Sequence, residues 1–238
     1  MRNVLAICQR EWLSYLNGSL LYVVVPAFLI LVGFFALFFQ DIFAARLLTM
    51  RGVFFWCALS YLFLIPAITM RAFSEEFRSG SFELVSTLPI STEELVLGKY
   101  MASLMLLIVT LLLTLTYPFT LSLLGDVDWG PIFGGYVGLF LVGSASTAIG
   151  IAASASTKSQ INAFLFAFVL TLLPFLSGYA LSQVPESLLP LVQYLSFEYH
   201  FNNLARGVID SRSVIYYLSL SGLALHFALF QINRKRLQ

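Results

Sequence analysis

Six windows of this 238-residue chain contain no Asp, Glu, Lys or Arg: 12–40, 52–70, 100–125, 129–157, 159–185 and 213–233. Each reaches the roughly 20 residues a helix needs to cross a hydrocarbon core of about 30 Å. A charge at the centre of such a helix costs about 2.5–3.5 kcal/mol on insertion scales, so the emptiness of these windows constrains the fold. The apolar runs are continuous and not alternating, which predicts helices and excludes a barrel. The expectation is an all-α integral membrane protein. Its spans are 20–39, 53–70, 101–124, 132–153, 161–181 and 214–231, in one transmembrane domain covering 1–238; the second window is the shortest.

Composition agrees. Hydrophobic residues make up 59% and charged residues 11% of the chain, whereas a soluble domain carries about 25% charge. The 23 Phe and 11 Tyr suit lipid contact and interfacial anchoring. A net charge of +1 suggests no nucleic acid or polyanionic partner. Cys8 and Cys57 have no metal-like or redox-like spacing and read as packing residues. No signal peptide is expected: the first apolar run starts near Leu20 and is as long as a full span.

An even number of spans puts both termini on one side. That side holds Arg2, Arg10, Arg71, Arg78, Lys99, Lys158, Arg234, Lys235 and Arg236, nine cations against the four of Arg46, Arg51, Arg206 and Arg212. The excess predicts cytoplasmic termini, with 234–236 as a sharp stop. Residues 1–18 precede the first span. Leu5, Cys8, Trp12 and Leu16 fall on one helical face, predicting an elbow helix in the membrane interface, broken from the span by Asn17-Gly18-Ser19. The plainer alternative is a simple extension of the first span.

The connection at 71–99 holds Glu75, Glu76, Glu83, Glu93 and Glu94, five of the twelve acidic residues. Phe73–Arg78 reads as an amphipathic stretch that Gly80 can break. Ser81 then stands as a cap-like residue before Phe82, Glu83, Leu84 and Val85. Leu88-Pro89 ends that turn. Ser91 and Glu94 form a capping box for a helix running through Gly98-Lys99 into the third span. The expectation is a helix-turn-helix elbow with exposed acids and protruding Phe82 and Leu84. It is either a solvated connector or a docking surface.

Residues 65–76, followed by Gly80-Ser81-Phe82-Glu83-Leu84 and Thr87-Leu88-Pro89-Ile90-Ser91, resemble the hallmark of ABC-2 type transporter permeases. Within that superfamily they are most similar to the gliding-motility and nitrous-oxide-reductase-maturation permease group. Family members show a proline and Thr-Met-Arg at the end of the second span, then Glu-Glu, Gly-Thr, Glu-Leu and a Leu-Pro motif; here Ser81 replaces the usual Thr. Gly98-Lys99, Asp128-Trp129-Gly130, and Phe201 with 206–210 are further echoes, so the resemblance runs through nearly the whole chain. It implies that Glu75–Ser91 is a coupling helix seated in a separate ATPase. Its docking residues would be Glu75, Glu76, Arg78, Gly80, Ser81, Phe82, Glu83, Leu84, Thr87, Leu88, Pro89 and Ser91. It also implies two ABC ATPase subunits carrying ATP and Mg, a second permease copy or related subunit, and a bacterial inner-membrane location. The outer segment 183–213 is too interrupted to span and is expected to form short re-entrant or interfacial helices. They resemble the family's outer gate, with Arg206, Gly207 and Asp210. With no large outer domain, any periplasmic substrate binding would fall to an accessory protein.

The chain itself offers no nucleotide site, since Gly98-Lys99 lacks the glycine spacing of a phosphate-binding loop. No nucleophilic triad or metal cluster is legible, so a non-catalytic subunit without a bound cofactor is expected. His226 in the sixth span is either a functional ionisable group or a neutral packing residue; His200 falls in the outer segment. In the fourth span Gly134, Gly138, Gly143 and Gly150 permit close helix approach, for packing or for a moving interface. Besides an ABC exporter permease, a self-contained secondary transporter and a non-transporting membrane anchor stay open. The first of these rivals would ordinarily place charges or broken helices at mid-membrane.

Overall fold

The computed structural model describes residues 2–39, 50–180, 185, 187–208 and 210–236. Arg46, Leu181, Gln183 and Ile209, used above in the orientation count, the span limits and the motifs, lie outside them. Among the described residues the regular structure is entirely helical. The first four helices are α1 (Arg2–Asn17), α2 (Ser19–Phe39), α3 (Arg51–Thr69) and α4 (Ser74–Ser79). Then follow α5 (Ser81–Ser86), α6 (Thr92–Thr114), α7 (Thr116–Leu124) and α8 (Trp129–Ser156). The last are α9 (Gln160–Ala180), α10 (Leu189–Leu195), α11 (Phe197–Ala205) and α12 (Ser211–Arg236). Five helical stretches are long and apolar enough to cross a membrane, and a sixth is added if α1 and the 21–35 part of α2, bent by 73°, count as one span. The chain is a multi-pass membrane protein.

The expected third span is divided. Helix α6 ends at Thr114 and α7 begins at Thr116. Pro118 explains the division, because it has no N–H to donate to the Thr114 carbonyl and its ring crowds that carbonyl.

Helix α8 is the centre of the bundle, with 89% of its most apolar window buried. Its small residues make this possible, since every large side chain removed lets a neighbouring backbone approach. A Cβ on Gly134 would meet the Leu204 carbonyl of α11 and lie 2.9 Å from the Gly207 Cα. A Cβ on Gly138 would lie 3.1 Å from the Phe201 ring, and one on Gly143 would lie 2.6 Å from Leu107 of α6. At Gly150 it would collide with the Thr69 side chain at the end of α3. One helix therefore touches α3, α6 and α11 through four missing side chains. Gly207 itself has φ +86, a left-handed conformation that suits glycine and turns the chain out of α11.

Two positions test this packing. Gly134→Ala should destabilise the protein by about 1–3 kcal/mol, because a backbone carbonyl cannot rotate out of the way. Gly222→Ala, where a Cβ meets nothing within 4 Å, should instead be neutral or stabilising by about 0.5–1 kcal/mol. Thermal unfolding in detergent checks both; equal effects would contradict the close approach.

Candidate functional site

The connection between α3 and α6 is built from fixed backbone contacts. The break in the helical ladder after α3 leaves the first amides of α4 without helical partners. Ser154 of α8 supplies one: its Oγ accepts from Phe73 N at 3.0 Å and Ser74 N at 3.1 Å, and donates to Met70 O at 3.0 Å. Gly80, at φ +74, ends α4 and starts α5. Ser91 Oγ then accepts from Glu94 N at 3.1 Å while Glu94 Oε2 accepts from Ser91 N at 3.1 Å, so the capping box is present at the start of α6. The Asn3 amide of α1 donates to the same carboxylate at 3.0 Å. Those two donors, Asn3 foremost, hold the Glu94 carboxyl below its ordinary pKa.

Several of the expected docking residues are placed differently from the sequence reading. Phe82 does not protrude: it is 7% exposed, with its ring 4.8 Å from that of Phe77 in a cluster with Ile7 and Phe73. Burying a phenyl ring there gains about 1.5–3 kcal/mol, which an exposed position would forgo. Ser81 does not cap α5, because Gly80 occupies the N-cap; its hydroxyl pairs with Ser79 Oγ at 2.9 Å. Leu84 does protrude, at 73% exposed. Glu83, Thr87, Leu88 and Pro89 are exposed beside it, as are Glu75, Arg78 and Ser91.

Glu76 is not an exposed acid either. Its side chain is 15% exposed, and Oε1 accepts from Lys99 Nζ at 2.8 Å. The Lys99 side chain is 3% exposed and also donates to Glu11 Oε1 at 3.0 Å. Arg10 Nη2 completes the set, 2.6 Å from Glu11 and 3.2 Å from Glu76. Two cations thus share two carboxylates, and the Phe73 ring centroid lies 5.0 Å from the ammonium. Burial of Glu11 opposes its charge, but the Lys99 ammonium and the Arg10 bonds outweigh that and hold its carboxyl below its ordinary pKa. The sequence reading passed over Glu11. Its signal was there: Glu11 stands three residues after Cys8 and four before Tyr15, an acid within the apolar stripe of α1. Leu5, placed on that stripe, is instead 66% exposed, and the buried face is centred on Ile7 and Cys8. Gly98 sets this rotation, since a Cβ there would lie 2.7 Å from Ile7.

The end of α12 closes the same region. Lys235 Nζ donates to Ala155 O, the C-terminal end of α8, at 2.9 Å and lies 3.6 Å from the Phe77 ring centroid. Burial, with Lys158 nearby, pushes its pKa down to about 8. Arg236 donates to Ile90 O at 3.0 Å and to Thr92 Oγ1 at 3.2 Å. The basic triplet read as a membrane stop therefore also grips the α5–α6 connection.

At the other end of the bundle, Arg206 is exposed and Asp210 Oδ1 accepts from Arg212 N at 2.9 Å. His200 is buried, stacked on Tyr216 at 4.3 Å. A carbonyl only accepts, so Nε2–H donates to Tyr194 O at 3.0 Å and Nδ1 accepts from Ser213 at 3.1 Å. Burial lowers the His200 pKa, so the ring is neutral at pH 7. His226 is exposed on α12.

A family model described as "ABC-2 family transporter protein" matches residues 53–225. That interval runs from α3 into α12 and contains the whole α4–α5 connection. No curated protein matches the chain.

Replacing Lys99 by Met should cost about 3–5 kcal/mol, since it strands two largely buried carboxylates. Glu11 sets the pH dependence. Its folded pKa lies below that of an ordinary glutamate, so its contribution is complete above the ordinary value and is lost as pH falls through the lower folded one. Unfolding of wild type between pH 7 and 3 should show that loss. Lys99→Met should show a smaller one.

Proposed function

Since the chain belongs to the ABC-2 transporter family, we propose that it is the permease subunit of an ATP-driven exporter, forming half of a translocation pathway and coupled through α4 and α5 to a separate ATPase. The family implies ABC ATPase partners in general. The finer reading has two ATPase subunits, which carry the ATP and Mg, and a second copy of this chain or a related permease. This chain is the non-catalytic membrane subunit. Both termini and the α4–α5 connection face the cytoplasm of a bacterial inner membrane, as the cation excess favours. The gliding-motility and nitrous-oxide-reductase-maturation group is the subgroup its motifs resemble most.

The observation that carries the reading is an exposed apolar residue on a braced support. Leu84 projects from α5 at 73% exposed, and Leu88 stands at 48% one turn on. The backbone beneath them is held by Ser154, Arg236 and the Lys99 cluster. A leucine in water at a membrane protein's charged end favours burial against a partner, and Glu83 and Arg78 beside it give a polar rim. A braced support passes displacement to α3 and α6, which continue directly from it, instead of absorbing it. Domain closure in the ATPase would then move two spans together. Arg206, Gly207 and Asp210 stand at the opposite end as the proposed outer gate, and the glycine contacts of α8 serve as packing within the subunit.

Leu84→Asp combined with Glu83→Lys should reduce retention of the partner ATPase in co-purification by about tenfold or more, the scale of losing a buried apolar anchor. Neither residue touches the Lys99 cluster, so membrane insertion and thermal stability should stay at wild-type values. Full retention of the ATPase would overturn the docking assignment.

A further inference from the structure

A cavity of about 410 Å³ opens between α1 and the start of α4. Its wall includes Gly18, Arg71 and Lys99. Gly18 immediately precedes α2. Arg71 is the first charge after the 52–70 window, and Lys99 the last before the 100–125 window. Three span ends meet at this one cavity, which fixes its depth: it lies where hydrocarbon gives way to headgroups.

The charges in its wall balance. Arg10, Arg71 and Lys99 face Glu11, Glu75 and Glu76. Lys99, Glu11 and Glu76 neutralise one another with help from Arg10, whose side chain stays 53% exposed. Arg71 and Glu75 are both exposed and, although four residues apart, do not pair; among the described residues neither charged group has a partner. The cavity thus presents one uncommitted guanidinium, a second with N–H groups to spare, and one uncommitted carboxylate. A purely basic pocket would select an anion. This one suits a zwitterion whose phosphate meets the guanidiniums and whose cation carries N–H donors for Glu75. Its volume is in the range of small-ligand sites.

We propose that this cavity is a phospholipid headgroup site selective for phosphoethanolamine. Arg71 and Arg10 bind the phosphate, and Glu75 accepts from the primary ammonium. Phosphocholine has no N–H to offer Glu75, and phosphoglycerol has no cation, so both bind less well. The proposal does not rest on the ATPase reading, although Glu75 lies on α4, and the site is tested on the full chain alone.

The chain is reconstituted in nanodiscs of equimolar phosphatidylethanolamine, phosphatidylcholine and phosphatidylglycerol, and retained lipid is measured by native mass spectrometry. Phosphatidylethanolamine should be retained about tenfold over either competitor, the scale of one charge-assisted hydrogen bond. Glu75→Gln should bring it down to the level of phosphatidylcholine, and Arg71→Ala should lower all three, with Arg71→Lys restoring part. Glu75 is exposed and outside the Lys99 network, so its variant carries the test even if Arg71→Ala folds poorly. Equal retention of the three lipids, or a preference for phosphatidylglycerol, would overturn the proposal. So would displacement of bound lipid by an equal concentration of soluble phosphoethanolamine, which would assign the cavity to a free metabolite.

Discussion

An ammonium group buried beside a membrane has few places to go. Removing its hydration costs several kcal/mol, and only well-placed anions repay that. Lys99, 3% exposed in its side chain, has Glu11 and Glu76 at 3.0 and 2.8 Å. Those anions come from different helices, one before the first span and one after the second. Satisfying one lysine therefore requires α1, α4 and α6 to meet at a single point. Once they do, Phe82 can bury against Phe77, Gly98 can accept Ile7, and the capping box at Ser91 can take a further donor from Asn3. The α3–α6 connection is an assembled corner of the bundle and not a free loop.

The other side of that corner is fixed by α8. A helix able to run through the middle of a bundle needs small side chains, and those of α8 let Thr69, Leu107 and Leu204 come within contact of it. Near its end Ser154 takes the loose amides at the start of α4, and Lys235 returns to bond the Ala155 carbonyl. Polar groups that would be costly in hydrocarbon are thereby satisfied by one hydroxyl and one ammonium. The exposed ridge of Leu84 and Leu88 stands on this double brace, which is why a push on it would reach the spans.

Much of the architecture was legible because membranes punish charge. The charge-free windows coincide with helices α2, α3, α6–α7, α8, α9 and α12, and Gly80, Pro89 and the Ser91–Glu94 pair fall at the breaks and starts of α4 to α6, all from local chemistry. What was not legible depends on long-range partners. The glutamates at 75 and 76 look alike in sequence, yet one is exposed and the other is tied to Lys99. Phe82 and Leu84 both look like protruding anchors, and only the three-dimensional position of Phe77 separates them. Glu11 could have been noticed as an acid on an apolar stripe. Its cation, 88 residues away, could not have been named from periodicity.

If α4 and α5 dock an ATPase as proposed, α1, α4, α5 and the start of α6 move as one body when that partner closes. Spin labels at the exposed positions Leu5 and Ser79, outside the docking ridge of Leu84 and Leu88, measure it directly, in the complex with and without a non-hydrolysable ATP analogue. The Leu5–Ser79 distance distribution should be the same in both states, while the distance between the Ser79 positions of two associated permease copies changes. A Leu5–Ser79 distance that itself shifts with nucleotide would show that the Lys99 cluster does not hold the corner together and that the corner does not move as one body.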